Sequence, residues 1–476
     1  MTDQLRPQTF TTPARLGLRR HLGRRMPNTF KVLFFFLMQA ALALAIHQVN
    51  ILSTLHAYVT LAVGLFLLIT EKEPYKLMYW MGYVVAAELL WRGMGARVFW
   101  ETGKYVVIVI SLLGCLKNNG EYKLIFRLAP YFLLLVPAVL LMPTFNREVI
   151  AFALAGPLAL VAASMFFSRY KIDTAQMKTL LLTILASVLT FSILVLLGLI
   201  NAEEIEFSGA SNYFTSANTG PNQVSSLLSL GAFSAFVYVL LERDNKFLRV
   251  LVALMGLGLL VQITLTFSRG GLYTFLGAIA VGGLFFMRDQ KSRMSYLAVV
   301  VVGFLIFYFF LLPVLDQWTS GTLGARLSNI EPTGRLEIIR SDLEVFQENP
   351  LYGIGLGKSD VEHARYFRVS NAHTEYSRML AEHGVLGLIS LLILVVVISL
   401  RVFQKDDPLN KAVIVACMTW GLLFMAHSAT RLVAPSFLIG LSFAHFDLSI
   451  PSTDAPRKTR FYRLQRIGSR TRFTRH

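Results

Sequence analysis

Charge is what this sequence lacks most. Only 15% of its 476 residues are Asp, Glu, Lys or Arg, against 55% hydrophobic, and the mean hydropathy is +0.57. A soluble domain carries roughly 25% charged residues as its outer skin, so the shortfall argues against a soluble globular protein. Cysteine is nearly missing as well. Cys115 and Cys417 both lie inside apolar runs, which rules out a cysteine zinc cluster and leaves a disulfide framework without material. Asp and His nowhere show metal-ligand spacing, so neither a metal nor a cofactor is expected. Acidic residues are the scarcer sign, 28 against 45 Lys and Arg.

What is present in quantity is uncharged apolar sequence. Runs of about 18 or more residues are long enough to cross a ~30 Å hydrocarbon core. Candidate spans start near Phe30, Val49, Leu77, Lys104, Leu124, Val149, Met177, Val224, Phe247, Gly271, Ser295, Gly384, Lys411 and Leu432. The Lys104 run is short, so the range is about 12–14 transmembrane helices by the span-length criterion. The expected fold class is an all-α polytopic membrane protein with a long helical loop on one face. The first run lacks a small-residue cleavage site and reads as a retained span rather than a signal peptide.

The formal net charge of +17 would suggest nucleic acid in a soluble protein. Its distribution points elsewhere. Arg15, Arg19, Arg20, Arg24, Arg25 and Lys31 precede the first run. Arg457, Lys458, Arg460, Arg463, Arg466, Arg470, Arg472 and Arg475 follow the last. Basic residues flanking spans hold those ends in the cytoplasm and attract anionic headgroups, so membrane lipids are the expected partners and nucleic acid is not. With the N-terminus inside, the loops 71–76, 117–123, 168–178, 242–246, 288–294 and 402–410 are cytoplasmic, and each carries Lys or Arg. The opposite loops include the acidic, polar 201–223 and the much longer 314–383. An even number of spans leaves both tails inside, so parity, loop charge and tail charge agree. The expected organisation is a basic tail (1–29), a transmembrane bundle (30–313), a loop domain on the outer face (314–383), C-terminal transmembrane helices (384–447) and a second basic tail (448–476).

The long loop contains an amphipathic helix. Leu336, Ile339, Leu343 and Phe346 recur at helical spacing, charged residues fall between them, and Asn349-Pro350 ends the run. Charges in or beside spans are costly unless paired or wet. Arg269, in TFSRGG, is either an interfacial arginine snorkelling to water or, with Gly270 and Gly271 opening the next helix, part of an anion site. Arg335 stands in the first turn of the amphipathic helix, where the helix dipole disfavours a cation. A bound phosphate or the nearby Glu331 would each offset that. His373, Glu375, Tyr376 and Arg378 crowd one stretch before the span at Gly384. His373 is either a solvated structural residue or a general base; Glu375 and Glu382 are alternative bases, and Tyr376 could stack on a sugar. His427 and Arg431 form a further outer pair. The glycine-rich LYGIGLGKSD (351–360) lacks a flanking strand–helix unit and reads as a turn rather than a nucleotide loop.

In order, GPNQVSS (220–226), TFSRGGLYTFLGA (266–278), TGR (333–335), ENPLYGIGLGKS (348–359) and NAHTEYSRMLAEHGVLGL (371–388) resemble the O-antigen ligase/O-antigen polymerase superfamily of membrane glycan transferases. The resemblance covers roughly residues 200–400. It implies a GT-C-like helical fold and transfer, inverting and metal-independent, from an undecaprenyl-pyrophosphate-linked glycan donor. The acceptor it implies is lipid A-core or another lipid-linked glycan. It further implies an active site at the periplasmic face of a bacterial inner membrane, alongside the proteins of glycan assembly. The family's arginines fall on Arg269 and Arg335, which would hold the pyrophosphate. Its histidine falls on His373, as base or as a group orienting the acceptor. Asn222, Glu375, Tyr376 and Arg431 complete the implied substrate-binding set. Thr374 stands where members often carry Asn, and Leu336-Glu337-Ile338-Ile339 where many carry Trp. Ligase and polymerase share these motifs. The rival readings are an O-linked protein oligosaccharyltransferase and a transporter or flippase of lipid-linked saccharide. A transporter would bury charges mid-span and repeat its halves, and neither pattern is visible in the sequence.

Overall fold

A computed structural model describes residues 29–71, 75–116, 123–142, 144–201, 207, 210–329, 335–359 and 374–448. These fold as a helical bundle, all-α apart from one small strand pair. The helices are α1 (Thr29–Gln48), α2 (Ile51–Thr70), α3 (Tyr75–Gly93), α4 (Thr102–Leu116), α5 (Lys123–Leu133), α6 (Arg147–Phe167), α7 (Thr174–Ile200), α8 (Pro221–Leu241), α9 (Lys246–Leu265), α10 (Arg269–Phe286), α11 (Gln290–Ile306), α12 (Leu312–Trp318), α13 (Thr322–Ser328), α14 (Arg335–Glu348), α15 (Glu375–Phe403), α16 (Pro408–Ser428) and α17 (Ala434–Leu441). Short polar residues start several of them. Asn146, Asn245 and Asp289 accept from backbone N–H groups of α6, α9 and α11, and Asp173 forms a capping box with Gln176 on α7.

Among the described residues, ten helical stretches are long and apolar enough to cross a membrane, by length and composition. Each of the fourteen candidate starts falls on or beside a helix, and the other four show why the count is smaller. The α3 segment carries Lys76, Glu88 and Arg92, and α4 has 15 residues. Pro130 interrupts α5, and the chain continues as a 3-10 turn at Val136–Leu141, because proline removes a donor and clashes with the preceding turn. The run from Leu432 is an eight-residue helix, α17, followed by strand β2 (His445–Asp447). It still carries the chain from one end of the bundle to the other.

Helix α8 lies at the centre, buried along its whole apolar window, whereas the apolar window of Ser292–Trp318 has no buried residue and faces outward. The latter stretch passes through a π-turn at Phe307–Leu311, next to Pro313, whose missing N–H shifts the hydrogen-bond register. The spans therefore sort into a packed interior and a lipid-facing periphery.

Two sets of loops lie at opposite ends. At one end β2 pairs in parallel with β1 (Lys171–Asp173), and Tyr75 Oη donates to Lys171 O. Arg169 reaches Cys115 O, Lys178 pairs with Glu242 at 3.0 Å, Asn245 donates to Thr29 Oγ1, and Asn410 bonds to both Phe446 and Leu448. Loops read as cytoplasmic from charge thus share an end with both outgoing tails. At the other end Arg92 donates to Arg431 O, Arg326 to Phe267 O, Lys358 to Leu141 O and Asn212 N to Thr266 O.

The amphipathic helix of the long loop segment is present as α14, and it lies on the bundle. It buries Ile338, Ser341, Asp342 and Val345, with Asp342 accepting from Ser377 of α15. Of the apolar stripe, Leu336 and Leu343 are exposed while Ile339 and Phe346 are half-buried. The polar helix before the span expected at Gly384 is also present: α15 opens at Glu375 and is kinked at Gly384, whose φ is +59°, where the apolar part begins. There Val385 N donates to Pro350 O, and a Cβ on Gly384 would lie 2.6 Å from that oxygen. Gly353, at φ +68°, closes the same contact, so glycines 353–357 wrap the break as a turn.

Cysteine substitutions at Tyr213 and Lys405, both exposed, should react with a membrane-impermeant maleimide from opposite sides of the membrane. Labelling of both from one side would overturn the two-ended arrangement.

Candidate active site

The turn between α9 and α10 is built for close approach. Phe267 takes φ +55°, an unusual conformation for a bulky residue, and its ring is buried with Leu265, Leu315 and Leu323. Ser268 Oγ donates to Asn222 Oδ1 at 2.7 Å and sits 3.2 Å from Ser225 Oγ. Gly271 N donates to Ser225 Oγ at 3.0 Å. A Cβ at Gly271 would lie 2.2 Å from Ser225 O, and one at Gly270 would lie 2.5 Å from His427 Nδ1. The paired glycines therefore serve the packing of α10 against α8 and α16, and one of their N–H groups is already committed.

This packing presents Arg269 to the loop. Arg269 Nη1 donates to Asn329 O, while Arg326 Nε donates to Phe267 O at 3.2 Å. The two arginines thus cross-brace the turn and the end of α13. Arg335 joins them. Burial, then Arg269 and Arg326, hold its guanidinium below the ordinary arginine value. Burial and Arg269 act on Arg326 in the same direction. Arg326 and Arg335 nonetheless remain cations at physiological pH. Among the described residues no carboxylate lies within ion-pair distance of Arg326 or Arg335. The three guanidinium groups thus gather around the α9–α10 turn and the end of α13, an arrangement whose chemistry suits phosphate oxygens.

Beside this cluster, at the same end, buried carboxylates and cations are matched. Glu88, 1% exposed, meets Arg92 at 2.6 Å and accepts from Val433 N at 2.7 Å. Glu101 meets Arg92 at 3.1 Å and Lys104 at 2.7 Å. On α15, Arg378 bridges Glu375 and Glu382, each at 2.7 Å, and Glu375 accepts from Thr430 N and Oγ1. Glu382 also accepts from Gly357 N and Ser359 Oγ of the glycine-rich turn.

Residues 250–392 match the model of the O-antigen ligase family. The chain carries an O-antigen ligase domain. No curated protein matches it. The matched stretch contains Arg269, Arg326, Arg335, Arg378 and Glu382, and it supports a likeness to the O-antigen ligase/polymerase superfamily of membrane glycan transferases.

Within the ligase domain the structure brings together Arg269 and Arg335, with Asn222 bracing the turn that carries Arg269. His373, Glu331 and Thr333 lie outside the described residues; Thr374, next to His373 in sequence, caps α15 by accepting from Tyr376 N. Glu375 is fully buried in its pairing with Arg378. Tyr376 Oη donates to Leu422 O at 2.8 Å, so both residues tie α15 to α16 and the turn after it. His427 and Arg431 do not act as a pair: His427 bonds Thr274 of α10 at 2.9 Å, whereas Arg431 lines a cavity with α4 and α6.

Sequence reading missed Arg326 and the Glu88–Arg92–Glu101–Lys104 network. A basic residue in an outer loop, against the positive-inside pattern, was the signal for the first. Glu88 and Arg92, four apart in a helical run, were the signal for the second. These charges lie near helix ends rather than mid-span.

Gly271→Ala should force α10 from α8 and lower stability by about 1–3 kcal/mol, the usual cost of overpacking, measured by thermal unfolding in detergent. Arg378→Ala leaves two buried carboxylates without their cation and should cost roughly 3–5 kcal/mol. Arg378→Met combined with Glu375→Gln and Glu382→Gln should recover most of that stability; no recovery would discount the ion-pair account.

Proposed function

We propose that the protein transfers a saccharide from undecaprenyl pyrophosphate to an acceptor hydroxyl at the periplasmic face of a bacterial inner membrane. The observation that carries this reading is the convergence of Arg269, Arg326 and Arg335 at one end of the ligase domain. A pyrophosphate group offers the charge those residues would offset, and guanidinium groups bind phosphate oxygens bidentately. The donor's polyprenyl tail would lie among the lipid-facing helices, with its pyrophosphate at their end.

The chemistry asks for little more. The acceptor hydroxyl oxygen attacks the anomeric carbon as the bond from that carbon to the phosphate oxygen breaks, and configuration inverts. The bonding electrons stay on the pyrophosphate, whose growing charge the arginines stabilise without a metal. The hydroxyl proton passes to a base or is lost as the new bond forms. His373 is the group proposed to take that proton or to orient the hydroxyl, on the strength of its place in the NAHTEY motif. Transfer to lipid A-core would make the protein a ligase, and transfer to a lipid-linked repeat unit a polymerase. The organisation into basic tails, bundle and outer loop domain fits either.

Arg269→Ala, Arg326→Ala, Arg335→Ala and His373→Ala should each reduce transfer by roughly 10²–10³-fold, the scale for losing one group that stabilises developing charge. Each variant should still insert and fold. Wild-type transfer in all four would remove the site assignment. In a deletion strain, single uncapped repeats on the surface would point to a polymerase, and accumulated long lipid-linked chains to a ligase.

A further inference from the structure

A cavity of about 370 Å³ opens at the loop end, walled by α4, α6, α15 and the turn after α16. Its size lies within the ~300–1,000 Å³ range of small-ligand pockets. Arg269, Arg326 and Arg335 do not line it. Its charges are balanced: Glu101, Glu148 and Glu382 stand against Arg147, Arg378 and Arg431. A site with three charges of each sign has no preference for an anion. It offers both hydrogen-bond donors and acceptors, which is what a ligand rich in hydroxyl groups needs.

Two further observations point to a ligand. Glu101 is 4% exposed, and its Oε1 has no hydrogen-bond partner among the described residues, while Oε2 is held by Arg92 and Lys104. A buried carboxylate oxygen without a protein partner is costly, and this one belongs to a residue of the cavity wall. The wall beside it is aromatic. Trp100 is 58% exposed, with Arg92 packed 5.1 Å from its ring centroid, and Tyr105 and Phe152 also line the space. Such rings suit the C–H face of a pyranose, leaving its hydroxyls to the charged groups.

We propose that this cavity binds a neutral sugar residue of the acceptor glycan. The proposal rests on the transferase reading above. The two electrostatic environments then divide the substrates. The arginine cluster takes the anionic donor head, and the balanced, ring-lined cavity takes the acceptor sugar.

The test uses the purified full-length chain in lipid nanodiscs, with inorganic pyrophosphate added to occupy the arginine cluster. Two fluorescent probes are titrated: lipopolysaccharide core lacking O-antigen, and a single repeat unit on undecaprenyl pyrophosphate. One probe should bind, and Trp100→Ala and Glu101→Gln should each weaken it by roughly tenfold, the scale for removing an interface anchor. Trp100→Tyr should restore most of the affinity. The probe that responds identifies the acceptor source. Because Trp100 is largely exposed, its truncation leaves the core intact should Glu101→Gln fail to fold. In a transfer assay the same variants should raise KM for the acceptor and leave KM for the donor in place. Unchanged acceptor affinity in Trp100→Ala, or an equal loss of pyrophosphate binding, would overturn the proposal. Normal transfer with unmoved acceptor KM would sink the cavity assignment while the transferase reading stood. Probe binding by wild type without transfer from any donor would instead overturn the transferase reading.

Discussion

The loop end of this bundle depends on the need to pair buried charge. Glu88, Arg92, Glu101 and Lys104 on one side, and Glu375, Arg378 and Glu382 on the other, are nearly inaccessible to water. Isolated, any of them would be costly there. Both networks close on the turn after α16. Arg92 donates to Arg431 O, Val433 N donates to Glu88, and Thr430 N donates to Glu375. That turn, entered through Ala429 at φ +49°, joins α3, α4 and α15 through hydrogen bonds that none can drop without stranding a charge. The glycine-rich segment is tied in through Glu382, so its turn geometry answers to the same constraint.

Against this matched framework the arginine cluster is an imbalance. Arg326 and Arg335 are held beside Arg269 with no carboxylate in ion-pair distance of either among the described residues. The glycine pair of α10 makes this possible indirectly. By letting α10 approach α8 and α16, Gly270 and Gly271 fix where Arg269 emerges. One end of the bundle thus holds both matched buried ion pairs and a group of neighbouring arginines.

Sequence carried the fold class of this protein well. Apolar runs marked fourteen helical segments because span length and hydropathy are local properties, and loop charge sorted those loops into the two sets that the contacts place at opposite ends. Other features were less legible. The amphipathic helix was legible, but that a hydrogen bond from Ser377 to Asp342 would tie it to α15 was not. Glu375 and Tyr376 read as site groups from their proximity to His373; in the fold they brace α15. Arg326 and Glu101 carried no motif, and their relevance appears only when distant segments meet.

The sequence by itself determined that the chain is helical and membrane-spanning, which loops share a side, and which motif residues belong to a ligase domain. These follow from hydrophobicity, charge and residue order along the chain. Tertiary structure alone decided which charges are matched, because the hydrogen bonds that hold charged groups at this end join residues as far apart as Glu88 and Val433, or Arg92 and the backbone carbonyl of Arg431. The pairing partner of a buried charge is set by packing in three dimensions, and no local pattern encodes it.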